Sequence, residues 1–200
     1  MMRFTKKTRE ILNFINEYGF ITNNICSRTI FKGGKQAYTQ SQKKLKIMYE
    51  NKAITKYIHP VTKEFIYQVE KKEVDDHRRM IIDLYSRIYE FADEIIYFKI
   101  EETWAMASRR NDAHIIFSKD DSVIGLLVEF DKHHKTSKKK LDDIYNSGEV
   151  QQWYLDKFNV EYFPSFLIIS LLGNTRHISD NYECLAVNYE FEGLETILRG

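Results

Sequence analysis

Asp112, Glu129 and Asp131 are the residues whose types and spacing best suit chemistry in this 200-residue chain. Glu129-Phe130-Asp131 ends an apolar run that reads as a strand over 123–131. Strand side chains alternate, so Glu129 and Asp131 share one face while Val128 and Phe130 take the other. A second strand is expected over 113–118, joined to the first by the turn Lys119-Asp120-Asp121-Ser122, and Asp112 stands just before it. Three carboxylates at one sheet edge suit a hard divalent cation such as Mg²⁺, with Asp112 and Glu129 as its ligands. Such an ion activates water and steadies charge on a phosphate, so all three are candidate catalytic residues. The competing reading is of unrelated surface carboxylates.

A second constellation is basic. Residues 1–72 hold 15 Lys/Arg and 5 Asp/Glu, a net +10, whereas residues 73–200 hold 15 and 24, a net −9. A basic block joined to an acidic one points to a nucleic-acid-binding module attached to something with another task. Within the basic block a helix is expected over 35–51, with Ala37, Ser41, Leu45 and Met48 on one face. Lys35, Gln36, Thr39, Gln40, Lys43 and Lys46 fall on the other. Gln pairs with adenine edges, Lys with guanine or phosphate, and Thr with either. Thr5, Lys6 and Lys7 offer a further phosphate contact at the start of the first helix. The alternative is a module that binds protein through a solvated basic face.

The elements that position these residues read in order. Thr5 caps a first helix carrying Ile11, Leu12, Ile15 and Tyr18 and ended by Gly19, and Thr22 caps a short second helix. After the third helix come strands over 53–59 and 64–69, whose turn includes Lys63. Three helices followed by a hairpin is the order of a winged helix-turn-helix, in which the third helix enters the major groove and the hairpin touches the flanking backbone. Residues 1–70 are assigned to that domain, with Lys63 added to the DNA-binding set. Residues 73–200 read as helix, strands, two helices and further strands, an α/β domain with a mixed sheet, so the fold class is α+β. His77 heads the apolar stripe of a helix over 74–92 and reads as a packed histidine.

The acid, β-turn-β, acid layout resembles the PD-(D/E)xK nuclease superfamily, with Asp112 and Glu129 matching its two acids. Asp131 occupies the position of the family lysine, which Lys135, Lys138 or a histidine of His133-His134 could replace. A wider resemblance covers most of the chain. Asp76-His77-Arg78, Arg110-Asn111-Asp112-Ala113, Leu127-Val128-Glu129-Phe130-Asp131 and Thr136 resemble the replication-relaxation family of Gram-positive plasmids, phages and integrative elements. Asn111 replaces that family's usual proline, while Asp131 agrees with its Glu-x-Asp. The resemblance implies a winged helix on a nuclease-like domain that is catalytically degenerate.

Composition bounds the rest. Cys26 and Cys184 form no metal pair or disulfide framework, no apolar run is long enough to span a bilayer, and the first residues lack a signal-peptide stretch. A soluble cytoplasmic protein is expected. Its partners would be duplex DNA, a second copy of itself, and replication or mobilisation proteins, with no cofactor required and Mg²⁺ only if the nuclease-like site is active. The expected function is DNA binding in control of transcription, replication or mobilisation of a mobile element. The alternatives are a metal-dependent endonuclease or nickase using the three carboxylates, and a protein-interaction module that binds a host protein.

Overall fold

A computed structural model describes residues 4–132, 135–174 and 179–199. Among them the chain is α+β, with seven helices, a two-stranded hairpin and a five-stranded mixed sheet. It divides into two compact units, 1–90 and 91–200. No helix of the described residues is long and apolar enough to cross a membrane.

The first unit opens with α1 (Lys6–Tyr18), whose N-terminus is closed reciprocally by Thr5 and Thr8 in a capping box. Gly19 ends it at φ 91°, donating its N–H to the Ile15 carbonyl at 2.7 Å. Thr22 caps α2 (Asn23–Thr29) through the Ile25 N–H. The turn through Gly33 and Gly34 leads into α3 (Ala37–Glu50), which buries Ala37, Ser41, Leu45 and Met48 as the periodicity predicts. Strands β1 (Thr55–Ile58) and β2 (Phe65–Gln68) pair antiparallel. Ile21, between α1 and α2, exchanges both backbone hydrogen bonds with Tyr67, each at 2.9 Å. That bridge ties the hairpin to the start of the helical layer.

The fourth helix, α4 (Asp76–Phe91), is joined to the same unit rather than to the sheet that follows it. Arg28 of α2 donates to Asp83 Oδ1 at 2.7 Å and to Ser86 Oγ at 3.1 Å, and its Nε lies 3.4 Å from Glu90. Arg78 Nε donates to the Tyr18 carbonyl, and Asp76 Oδ1 sits 3.2 Å from buried His59 Nε2. The chain therefore divides between Glu90 and Phe91, downstream of the charged stretch 70–72 where the charge changes sign. The first unit gains five acids and three bases over 73–90, which leaves 18 Lys/Arg against 10 Asp/Glu. His77 is half-buried and does not head the buried stripe, which starts at Met80.

The second unit is built on the order β3-β4-β5-β6-β7: β3 (Glu94–Trp104), β4 (Arg109–Lys119), β5 (Ser122–Asp131), β6 (Ser165–Ser170) and β7 (Cys184–Val187). The first three are antiparallel, and β6 and β7 add in parallel. The β5–β6 crossover carries α5 (Lys138–Asn146) and α6 (Glu149–Phe158), as parallel pairing requires. These helices set Leu141, Ile144, Val150 and Tyr154 against Ile116, Leu127 and Phe166. Each such side chain contributes roughly 1.5–3 kcal/mol by leaving water. The unit ends in α7 (Leu194–Arg199).

Strands β3 and β4 are longer than the expected 95–100 and 113–118, so Asn111 and Asp112 lie inside a strand. On β3 a β-bulge between Ile95 and Tyr97 and a positive φ at Glu101 break the alternation that would have revealed its full length. The intervening turn is pinned from afar, by Glu149 accepting the N–H groups of Ala105 and Met106.

Gly125 is required where β5 passes under α6. A Cβ there would lie 2.4 Å from Tyr154 Oη and 3.0 Å from Pro164 Cβ. Tyr154 cannot yield cheaply, because it is buried and its hydroxyl is hydrogen-bonded to His114 Nε2 at 2.9 Å. Gly125→Ala is expected to destabilise the second unit by about 1–3 kcal/mol, read as an earlier thermal unfolding transition, and an unchanged transition would refute the close approach.

Candidate functional site

On α3 the six residues of the predicted polar face are all exposed: Lys35 and Gln36 in the entering turn, then Thr39, Gln40, Lys43 and Lys46 along the helix. No acidic residue lies in the first turn of α3, and Glu50 at its end stands 3.8 Å from Lys46. Lys63 is exposed in the β1–β2 turn at φ 59°, with its ammonium donating to the Pro60 carbonyl. Lys44, outside the predicted set, donates to Thr5 Oγ1 at 3.1 Å. Lys7 is committed, donating to Glu10 at 2.9 Å and closely to the Ile30 carbonyl, so the expected phosphate contact at the start of α1 loses one of its lysines.

One lysine of this surface escaped sequence reasoning. Lys56 on β1 places its ammonium 4.4 Å from the Tyr49 ring centroid and 4.6 Å from that of Phe65. The three residues come from α3, β1 and β2, so no spacing along the chain signals the arrangement.

The acidic constellation is organised differently from the expected cage. Trp104 Nε1 donates to Asn111 Oδ1 at 2.7 Å, and Asn111 Nδ2 donates to Glu129 Oε1 at 2.6 Å. Lys140, in the first turn of α5, donates to Glu129 Oε2 at 2.6 Å. Glu129 is 3 % exposed and Asn111 fully buried. Both oxygens of Glu129 are thus occupied, one of them by an ammonium standing where a cation would stand. Asp112 Oδ2 instead accepts the Phe130 N–H at 2.7 Å. Asp131 Oδ1 accepts the N–H and hydroxyl of Thr136, and its carbonyl accepts from Tyr189. It caps the loop into α5 and does not join the other two. Among the described residues no three His, Cys, Asp or Glu side chains gather in metal-holding geometry. This donor set, with Glu129 already held by Lys140 and Asn111 and Asp131 turned to Thr136, does not fit Mg²⁺.

The lysine that reaches Glu129 is Lys140, not Lys135 or Lys138, and His133 and His134 lie outside the described residues. Its neighbours Lys138 and Lys139 pair with Asp142 and Asp143 one helical turn on, so this basic cluster is internally neutralised. Arg109 pairs with Asp143 at 2.6 Å and Arg110 with Glu101 at 3.3 Å, so the two guanidinium groups that precede Asn111 and Asp112 are held in ion pairs.

Burial pushes the Glu129 carboxyl up to about 7, Lys140 opposes the rise, and the Asp112 charge adds to it. Its folded-state value lies above the ordinary 4.5, so the folded protein holds the proton more tightly than the unfolded chain. This group therefore costs stability progressively as pH rises from about 4.5 to 7, about 3 kcal/mol in all. Beside it, burial depresses the His114 imidazole, which works in the opposite direction by losing stability as pH falls below its ordinary 6.5. The difference between wild type and Glu129→Gln isolates the first contribution. Denaturant titrations across pH 4.5–7 are expected to show a fall with pH in wild type, relative to the variant. Parallel curves would refute the ionisable burial.

His114 belongs to a second buried network that the sequence reading passed over. Its Nδ1 lies 3.8 Å from Glu102, which also accepts from Tyr97 and Lys99. A histidine inside the apolar run 113–117 was the available signal. No protein-family model, curated protein or solved structure matches this chain.

Proposed function

We propose that this chain is a DNA-binding protein whose first unit acts as a winged helix-turn-helix. In this reading α3 lies in the major groove, presenting Gln36, Thr39 and Gln40 to base edges and Lys35, Lys43 and Lys46 to guanine or phosphate. The β1–β2 hairpin, with Lys63 in its turn, meets the flanking backbone. The observation that carries the reading is the outward, solvent-exposed placement of all six polar residues, while Ala37, Ser41, Leu45 and Met48 hold α3 to its unit. The element order and the Ile21–Tyr67 bridge, which anchors the hairpin beside the helices, support it. So does the excess of 18 basic over 10 acidic residues in that unit.

The second unit, on this reading, retains a PD-(D/E)xK-like layout whose acid is sealed by Lys140 and Asn111, and it serves self-association or binding of replication or mobilisation proteins. The resemblance of its motifs to the replication-relaxation family supports a role in transcription, replication or mobilisation of a mobile element. Selection of bound fragments from the parent element's DNA tests the reading. Enrichment of a discrete site is expected, and failure to retain any duplex at low salt would overturn it.

A further inference from the structure

Lys56 differs from the other lysines around α3 in what holds it. Lys7 donates to Glu10, exposed Lys63 to the Pro60 carbonyl, and exposed Lys46 stands 3.8 Å from Glu50. Among the described residues Lys56 has no carboxylate partner; its ammonium lies between two aromatic faces, at 4.4 Å from Tyr49 and 4.6 Å from Phe65. A ring quadrupole attracts a cation without cancelling its charge. The sandwich therefore restricts a flexible side chain while leaving its full positive charge available. Both rings remain substantially exposed, Tyr49 at 40 % and Phe65 at 43 %, so the site is open to a partner.

The three side chains also tie three elements together. Tyr49 stands in the last turn of α3, Lys56 on β1 opposite Tyr67, and Phe65 at the start of β2. The ammonium's position is thereby set relative to the helix as well as to the hairpin. A lysine ordered in the free protein does not lose that rotamer freedom on binding, which is the general source of gain from preorganisation.

We propose that the Tyr49–Lys56–Phe65 sandwich is a prepositioned contact for the sugar–phosphate backbone, which fixes the hairpin's register beside the groove occupied by α3. This rests on the DNA-binding reading above and adds a residue that the polar face of α3 does not contain. A cation of this kind binds phosphate without regard to sequence, so it sets affinity and orientation, not site preference.

The test uses the full chain and a labelled mixed-sequence duplex, titrated between about 50 and 200 mM salt. Lys56→Met keeps the aliphatic stem between the rings and removes the charge. It is expected to retain the wild-type melting temperature, to reduce the salt slope by about 0.9, and to weaken binding roughly eightfold near 0.1 M salt. Lys56→Arg is expected to restore both. Phe65→Leu keeps the charge but removes one ring, and should lower affinity with the salt slope unchanged. Wild-type affinity and slope in Lys56→Met, alongside weakened binding by Lys43→Ala, would overturn this inference and leave the DNA reading standing. Absence of salt-dependent duplex binding by wild type would overturn the DNA reading and this contact with it.

Discussion

Replacing Lys35, Lys43 and Lys46 together by alanine is expected to lower duplex affinity by roughly two to three orders of magnitude near 0.1 M salt. Each phosphate neutralised contributes about 0.9 to the slope of log affinity against log salt, so three contacts account for about 2.7. The same factor gives the affinity loss, because the slope reflects counterions released by each ammonium. All three residues are exposed and support no core packing, so the fold should survive the change. Gln40→Ala should behave differently. A side-chain amide reads an adenine edge, and its loss relaxes discrimination by about 1–3 kcal/mol at one position while the salt slope stays put. Gel-shift or anisotropy titrations over a salt series separate the two. Equal affinity and slope in the triple variant would remove α3 as the binding face.

The second large effect concerns the buried acid. Lys140→Met is expected to destabilise the second unit by about 3–5 kcal/mol at pH well above 7, where Glu129 is ionised in the wild type and the substitution strands a buried carboxylate without its cation. Asn111 would remain as the donor to Glu129, and an amide does not neutralise a charge. The deficit should shrink as pH falls through about 7, where Glu129 takes up a proton in the folded state and no longer needs the cation. Removing both charges in Glu129→Gln/Lys140→Met should recover most of the loss, as replacement of whole buried pairs commonly does. Calorimetry of the three proteins at two pH values checks this, and a deficit that is independent of pH and unrelieved in the double variant would show that the pair is not the cause.

The sealed acid also bears on how the two units divide their labour. An unpaired Asp112–Glu129 pair would present negative charge to any nearby phosphate. The Lys140 ammonium offsets the Glu129 charge from within the unit, while Asp112 Oδ2 accepts the Phe130 N–H. Lys138, Lys139, Arg109 and Arg110 are likewise spent on carboxylates. The second unit thus offers no basic counterpart to the α3 surface among these residues.

Much of the first unit was legible because its signals are local. A capping threonine, a glycine at the helix end and an apolar residue every three or four positions depend only on neighbours in the chain, and they located α1, α2 and α3. The polar face of α3 followed from the same periodicity. The assignment of α4 did not, since it depends on Arg28 reaching Asp83 across 55 residues of sequence. Local charge suggested a join at 70–72, while the packing of the backbone divides the chain between Glu90 and Phe91.

In the second unit, period-two alternation put Glu129 and Asp131 on one strand and pointed to the acids worth watching. It could not say which would meet. Asn111 acts through an amide that donates to Glu129 and accepts from Trp104, and a proline there could do neither. Lys140 arrives from a crossover helix whose packing on the sheet sets the reach of its side chain. By itself, the sequence determined the α+β class, the helix faces and the residues with chemical potential, because helix and strand periods are properties of the local backbone. Only the tertiary structure decided that Lys56 sits between two rings, that Asp131 is a loop cap, and that Glu129 is closed by an ammonium. Those outcomes depend on which side chains meet across the fold, and distance along the chain does not encode that.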